Sequence, residues 1–176
     1  SAQAMINSKL VEASTVGTAS FIEVVADHLP QMNLVNLSTS MHRLAKLEVS
    51  ADIPVWRVLI DTVKKNLARV ATQDERLPRA LSNIIWSLAT VQVYDHPFTQ
   101  LLIALACEHL PFFKPFELAM FLWGVAKLGT CDDSVQGATA FFTQAAEFAA
   151  EMAGAFEFRS LSMIAWSFAT AGVHHS

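Results

Sequence analysis

Apolar residues recur along this chain at intervals of three and four, the helical period, and nowhere alternate with polar ones over a run long enough to read as a strand. The clearest stretch is LSNIIWSLATVQ, Leu81 to Gln92. On a helix turning about 100° per residue, Leu81, Ile84, Ile85, Leu88 and Ala89 share one face, and Trp86 widens it. Only a narrow stripe of Asn83, Ser87 and Thr90 stays polar. The same skeleton, Leu, four residues, Trp, two residues, Ala, returns in LAMFLWGVAKLG from Leu118 to Gly129 and in LSMIAWSFATAG from Leu161 to Gly172. A weaker copy, LSTSMHRLAKLE, runs from Leu37 to Glu48 with His42 in place of the Trp. The chain is a tandem repeat, an architecture that builds an extended surface for a long partner more often than a catalytic pocket.

Measured from the Trp position, successive copies lie 44, 37 and 43 residues apart, room for two helices and their connections in each unit. The second helices are visible between the copies. PVWRVLIDTVKKNLARV places Trp56, Leu59, Ile60, Val63 and Leu67 at helical spacing behind Pro54; HPFTQLLIALACEHLP begins near Pro97 and stops before Pro111; QGATAFFTQAAEFAAEMAG ends at Gly154 as a C-cap. A further helix, ASFIEVVADHL, precedes Pro30. Calling the repeat-bearing helices A and the intervening ones B, the order reads B, A-B, A-B, A-B, A, seven or so helices in all. The predicted fold is all-α, an α-solenoid of tandem helix-turn-helix repeats of about 37–44 residues each, wound as a right-handed superhelix. As one segment over 1–176 it divides into a partial N-terminal repeat (1–36), repeats near 37–80, 81–117 and 118–160, and a partial C-terminal repeat (161–176). A lone helix at each end leaves an apolar face to be covered, so the chain is expected to be part of a longer protein or to be capped by partners. Its start at Ser1 rather than Met fits a processed or interior beginning.

The polar stripe is the first candidate for function. At the positions of Asn83, Ser87 and Thr90 the other copies carry Thr39, Arg43 and Lys46, then Met120, Gly124 and Lys127, then Met163, Ser167 and Thr170. A helix sandwiched between neighbours must be apolar on both flanks, so a narrow free stripe is what stacking predicts. The small residues Ser87, Gly124 and Ser167 have two readings: they let a base or a peptide approach closely, or they ease helix packing. The tryptophans sit about 140° from the leading Leu and read as packing anchors between layers; a base-stacking platform would need them exposed on the stripe.

Composition narrows the choices. The 53% apolar content exceeds the roughly 45–50% usual for soluble domains, enough for a sizeable core. No uninterrupted apolar run is long enough for a membrane span. The net charge is −4, but it is unevenly spread. Eight of the twelve basic residues lie between Arg43 and Arg79 against five acidic ones, whereas three face eight from Asp95 onward. A polyanion is expected on the first half, met by Arg43, Lys46, Lys64, Lys65 and Arg69, with Asn83, Ser87, Thr90 and Lys127 as fewer, mostly uncharged contacts along the stripe. Cys107 and Cys131 form neither a CxxC pair nor a disulfide framework, and the six histidines are scattered without metal-ligand spacing. No phosphate-binding loop, nucleophile elbow or dinucleotide fingerprint is present. The sequence recommends no enzyme, cofactor or metal.

The pattern L-x-x-x-x-W-x-x-A-x-x-G, preceded by Phe-containing loops (FFKPFE before Leu118, FEFRS before Leu161), resembles the A helix of octotricopeptide and heptatricopeptide repeats. Those are α-solenoid proteins of organelles, often ending in a RAP domain, which is not recognisable here. The resemblance covers Leu37 to Gly172; it departs at His42 and at Glu48 and Gln92, which stand where the final Gly belongs. It implies RNA binding in mitochondria, or alternatively plastids, through stabilisation of transcripts or of fragmented ribosomal RNA in a mitochondrial ribosome. The competing expectation is a scaffold in a large organellar complex, joined to other proteins through apolar solenoid ends and the acidic C-terminal half, without direct RNA contact.

Overall fold

The computed structural model describes residues 1–70, 74–129 and 137–172. Every regular element among them is helical, and none of the helices is long and apolar enough to cross a membrane. The chain forms two compact units, Ser1–Arg76 and Leu77–Ser176.

The first unit holds four helices: α1 (Ala2–Val16), α2 (Thr18–His28), α3 (Leu34–Lys46) and α4 (Val55–Leu67). Helix α1 was not legible in the sequence, because it buries only Ile6, Leu10 and Ala13 and its remaining positions are largely polar. Its hydroxyl cap is Ser1, and Gly17, at φ 151°, breaks it from α2. The chain therefore opens with a complete helical pair. The exposed side of α1 is mixed: it carries Met5, Val11 and Val16 beside Ser8, Lys9, Glu12 and Thr15. Helix α3 starts in a reciprocal cap, Asn33 and Asn36 each accepting from the other's backbone N–H. It packs on α1 and, through the connection at 47–54, on α4. Trp56 fills the core beside that connection and donates its indole N–H to the Val49 carbonyl at 3.1 Å.

The second unit holds α5 (Leu77–Val91), α6 (His96–Glu108), α7 (Pro115–Lys127), α8 (Ala138–Glu151) and α9 (Phe158–Ala171). Asp95 caps α6 by accepting from Phe98 N–H, and Glu117 caps α7 by accepting from Lys114 N–H. Helix α8 stops at Glu151; Gly154 lies beyond it in a short 3-10 turn rather than capping it. The A helices α5, α7 and α9 pack side by side, and the B helices α6 and α8 pack on each other. Ser82 lies against Glu117, Trp86 against Trp123 and Ile85 against Gly124. Those pairs advance together along both chains, so α5 and α7 run parallel. Phenylalanines weld the layers: Phe113, Phe121, Phe141, Phe142 and Phe168 form a chain of edge-to-face contacts with centroids 5.2 to 6.4 Å apart.

All four copies of the repeat end alike. Glu48, Gln92, Gly129 and Gly172 adopt left-handed φ of 55°, 60°, 67° and 67°. Behind Glu48 and Gln92 the amides of Val49 and Val93 return to the carbonyls of Leu44 and Leu88, five residues back, the Schellman closure. The two copies that lack the Gly therefore keep the turn that the Gly serves.

Candidate nucleic-acid interface

On α5 the residues that are not buried are Arg79, Asn83, Trp86 and Thr90, with Val91 at the very end. They stand at i, i+4, i+7 and i+11, a single strip down the helix. On α7 the strip in the same register is Phe116, Met120, Trp123 and Lys127, and apart from Pro115 no residue outside it escapes burial. On α9 it is Arg159, Met163, Trp166 and Thr170. Helix α7 buries one flank on α5, the other on α9 and a third face on α8, so that Phe116, Trp123 and Lys127 of its strip reach solvent while Met120 is covered.

Down its middle runs a tryptophan ladder. The ring centroids of Trp86 and Trp123 are 6.4 Å apart with planes at 31°, and those of Trp123 and Trp166 are 6.2 Å apart at 34°. Trp86 and Trp123 are half-buried and Trp166 is 42% exposed, whereas Trp56 in the core is 1% exposed. The indoles do recur at equivalent places between neighbouring helices, as the sequence suggested, but they meet at the open margin of the layer rather than inside it. An angle of about 140° from the leading Leu falls at the seam between flank and strip.

The small residues take the other of their two readings. Ser87, Gly124 and Ser167 are buried; the two hydroxyls donate back to the carbonyls of Asn83 and Met163 in their own helices. A Cβ on Gly124 would stand 3.0 Å from Ile85 Cγ2 and 3.1 Å from the Ile85 carbonyl carbon. These positions let helices approach each other, and Ser87 is removed from the candidate contacts.

Charge separates by layer. The exposed charged residues of α5, α7 and α9 are Arg79, Lys127 and Arg159, all basic; the one acid, Glu117, is buried in its cap. Helices α6 and α8 carry Glu108, Glu147 and Glu151 and neither Lys nor Arg. The exposed acids within α6 and α8 are thus all on the B layer, whereas the Trp-bearing helices expose three cations, with Glu157 the exposed acid at the start of α9. Arg79 and Arg159 each precede a ladder Trp by seven residues, about 10 Å of helix, and Lys127 follows Trp123 by four, about 6 Å. Neither arginine falls within the repeat motif, which begins at the leading Leu; both stand two residues before it, in the same register as the strip.

The other expected contacts divide. Asn83 and Thr90 lie on the strip, and Lys127 is exposed there. In the first unit, Val35, Thr39, His42 and Lys46 occupy the same register on α3, with Lys46 exposed and Arg43 half-buried beside it. Lys64 and Lys65 lie in the last turn of α4, and exposed Arg69 follows it. A cation in a last turn also meets the negative end of the helix dipole, sufficient reason for Lys64 and Lys65 to be where they are. Arg76 is committed to Asp74, with Nε to Oδ1 at 3.0 Å and Nη2 to Oδ2 at 3.1 Å, and these bonds hold the Asp74 carboxyl below its usual value. Cys107 is partly covered, and burial pushes its thiol up, helped by Glu108; Cys131 lies outside the described residues. Among the described residues no group of His, Cys, Asp and Glu could hold a metal ion.

No protein-family model matches the chain, and neither the curated proteins nor the solved structures include a significant match to it.

Proposed function

We propose that this chain is a non-catalytic α-solenoid of helix-turn-helix repeats, wound right-handed, that binds single-stranded RNA along the open strip of its A helices. The observation that carries the reading is the tryptophan ladder with Arg79, Lys127 and Arg159 exposed on the three helices that bear it, beside one exposed acid, Glu157 at the start of α9. Phosphates take the cations. Bases stack on the outer face of Trp166 and rest on the edges of Trp86 and Trp123, while Asn83 and Thr90 supply hydrogen-bonding groups between them. By register, Thr39, His42 and Lys46 are the α3 counterpart of the strip, with Arg43 at its edge. The organellar setting, a mitochondrion before a plastid, and the RNA class, organellar transcripts or fragmented ribosomal RNA, rest on the repeat motif alone.

A titration of labelled oligouridine at several salt concentrations tests this. With three cations engaged, log K should fall with log salt at a slope of about −2, from roughly −0.7 per phosphate on a single strand. Arg79→Glu, Lys127→Glu and Arg159→Glu together should abolish most of the binding and flatten the slope, whereas Lys64→Glu with Lys65→Glu should change little. Trp166→Ala should cost about tenfold or more, from ~1–3 kcal/mol per stacked base. Equal losses from the two sets of charge reversals, or no RNA binding by the unaltered chain, would remove the reading. A protein scaffold would then take its place.

A further inference from the structure

Between the starts of α7 and α9 lies an open cleft of about 340 Å³, lined by Lys114, Pro115, Phe116, Ala155, Glu157 and Ser160. That is the lower end of the ~300–1,000 Å³ typical of small-ligand sites. Ten polar or charged residues are buried among the described residues, and nine of them use their side chains in hydrogen bonds within the protein. Ser160, 4% exposed, is the tenth: its hydroxyl meets no partner among the described residues. At the same place in the repeat α5 carries Ala80, which is buried, and α7 carries Glu117, which accepts from Lys114 N–H. A buried hydroxyl without a partner destabilises a fold, and Ala80 shows that the packing does not require one. The start of α9 has no side-chain cap, and neither Lys114 nor Glu157 is ion-paired among the described residues. The cleft therefore presents a carboxylate, a hydroxyl and an ammonium group beside the half-exposed ring of Phe116.

We infer that the cleft takes one guanine base of the bound RNA; this rests on the strand lying along the A-helix strip, to which Phe116 and Arg159 already belong. The chemistry of the lining selects the base. An ionised carboxylate only accepts, and guanine alone of the four bases presents two adjacent N–H donors, N1–H and the 2-amino group, on its Watson–Crick edge. Next to them O6 accepts, which matches the Ser160 hydroxyl as donor. Adenine, cytosine and uracil would each set a ring or carbonyl lone pair against Glu157. Phe116 supplies a ring for the base to stack on, and Lys114 takes the phosphate of the seated nucleotide. The Glu157 carboxylate opposes the phosphates of any strand, so it also selects against sequences that bring it no donors.

Four labelled nonamers test this by anisotropy with the full chain: oligouridine, and oligouridine whose central residue is guanosine, adenosine or inosine. The guanosine strand should bind about tenfold more tightly than the adenosine strand, within what one bidentate base contact discriminates. Inosine, which lacks the 2-amino group, should fall between them. Glu157→Gln should erase the guanosine preference, because its amide sets a donor against a donor, and should strengthen oligouridine binding by removing a like charge. Ser160→Ala should lower the preference a few-fold without lowering the melting temperature, since Ala80 already serves at that place on α5. Oligouridine binding with no preference for guanosine, or a preference that survives Glu157→Gln, overturns the inference and leaves RNA binding standing. An equal gain from adenosine overturns it too, since stacking on Phe116 would then act alone. Failure of every strand to bind removes both readings.

Discussion

At the scale of single residues, two positions show the repeat imposing a backbone on side chains that resist it. Gln92 holds φ 60° at the end of α5, where later copies use Gly129 and Gly172. A left-handed non-glycine residue costs about 1–2 kcal/mol, and glycine's extra freedom in the unfolded chain returns up to about 1 kcal/mol of that. Gln92→Gly should therefore stabilise by about 0.5–1 kcal/mol, seen as a higher denaturation midpoint with unchanged slope; a lower midpoint would show that the Gln side chain contributes more than the strain costs. Gly124 gives the opposite sign. Alanine gains about 1 kcal/mol of helix propensity there, but its methyl meets the Ile85 carbonyl carbon at 3.1 Å, an atom no rotamer can move aside. Overpacking of this kind costs about 1–3 kcal/mol, so Gly124→Ala should destabilise and lower the thermal midpoint. A neutral result would mean that α5 and α7 can slide apart at little cost.

At the scale of elements, α1 and α9 differ in what they cover. Helix α1 buries Ile6, Leu10 and Ala13 and exposes Met5, Val11 and Val16 beside Ser8, Lys9, Glu12 and Thr15. Removing residues 1–17 should strip its cover from α3, where Leu37, Met41 and Leu44 are fully buried. The shortened chain should bind the dye ANS and aggregate, and a monodisperse, dye-free product would show that α1 is an appendage rather than a cap. Helix α9 buries far less. Apart from Ser160 and Ser167, all its residues keep some exposure.

At the scale of the whole molecule, a net charge of −4 conceals a division between layers. The acids Glu108, Glu147 and Glu151 repel a polyanion only from across the A layer, and at about 0.1 M salt the screening length is ~10 Å, similar to the separation of packed helices. Their replacement by Gln should therefore strengthen RNA binding at low salt and have little effect at moderate salt. An equal gain at all salt concentrations would place the strand on the B layer instead. Overall charge is thus a poor guide to whether a helical stack can hold a nucleic acid; the sign on the layer that meets it decides.

The sequence by itself determined the helices with a strong apolar period, their alternation, and the column in which Trp86, Trp123 and Trp166 recur, because spacing along a helix fixes the angle between side chains. It did not determine which angle faces a neighbour and which faces water. That is why Ser87 read as an accessible contact and is buried, why the indoles read as core and stand at its margin, and why Arg79 and Arg159 were passed over although both lie on the open strip. Helix α1 escaped notice because three buried residues in fifteen leave little period to read. Only tertiary packing sets the faces, since burial depends on what lies alongside, and only packing shows that Glu48 and Gln92 keep a glycine's turn without the glycine.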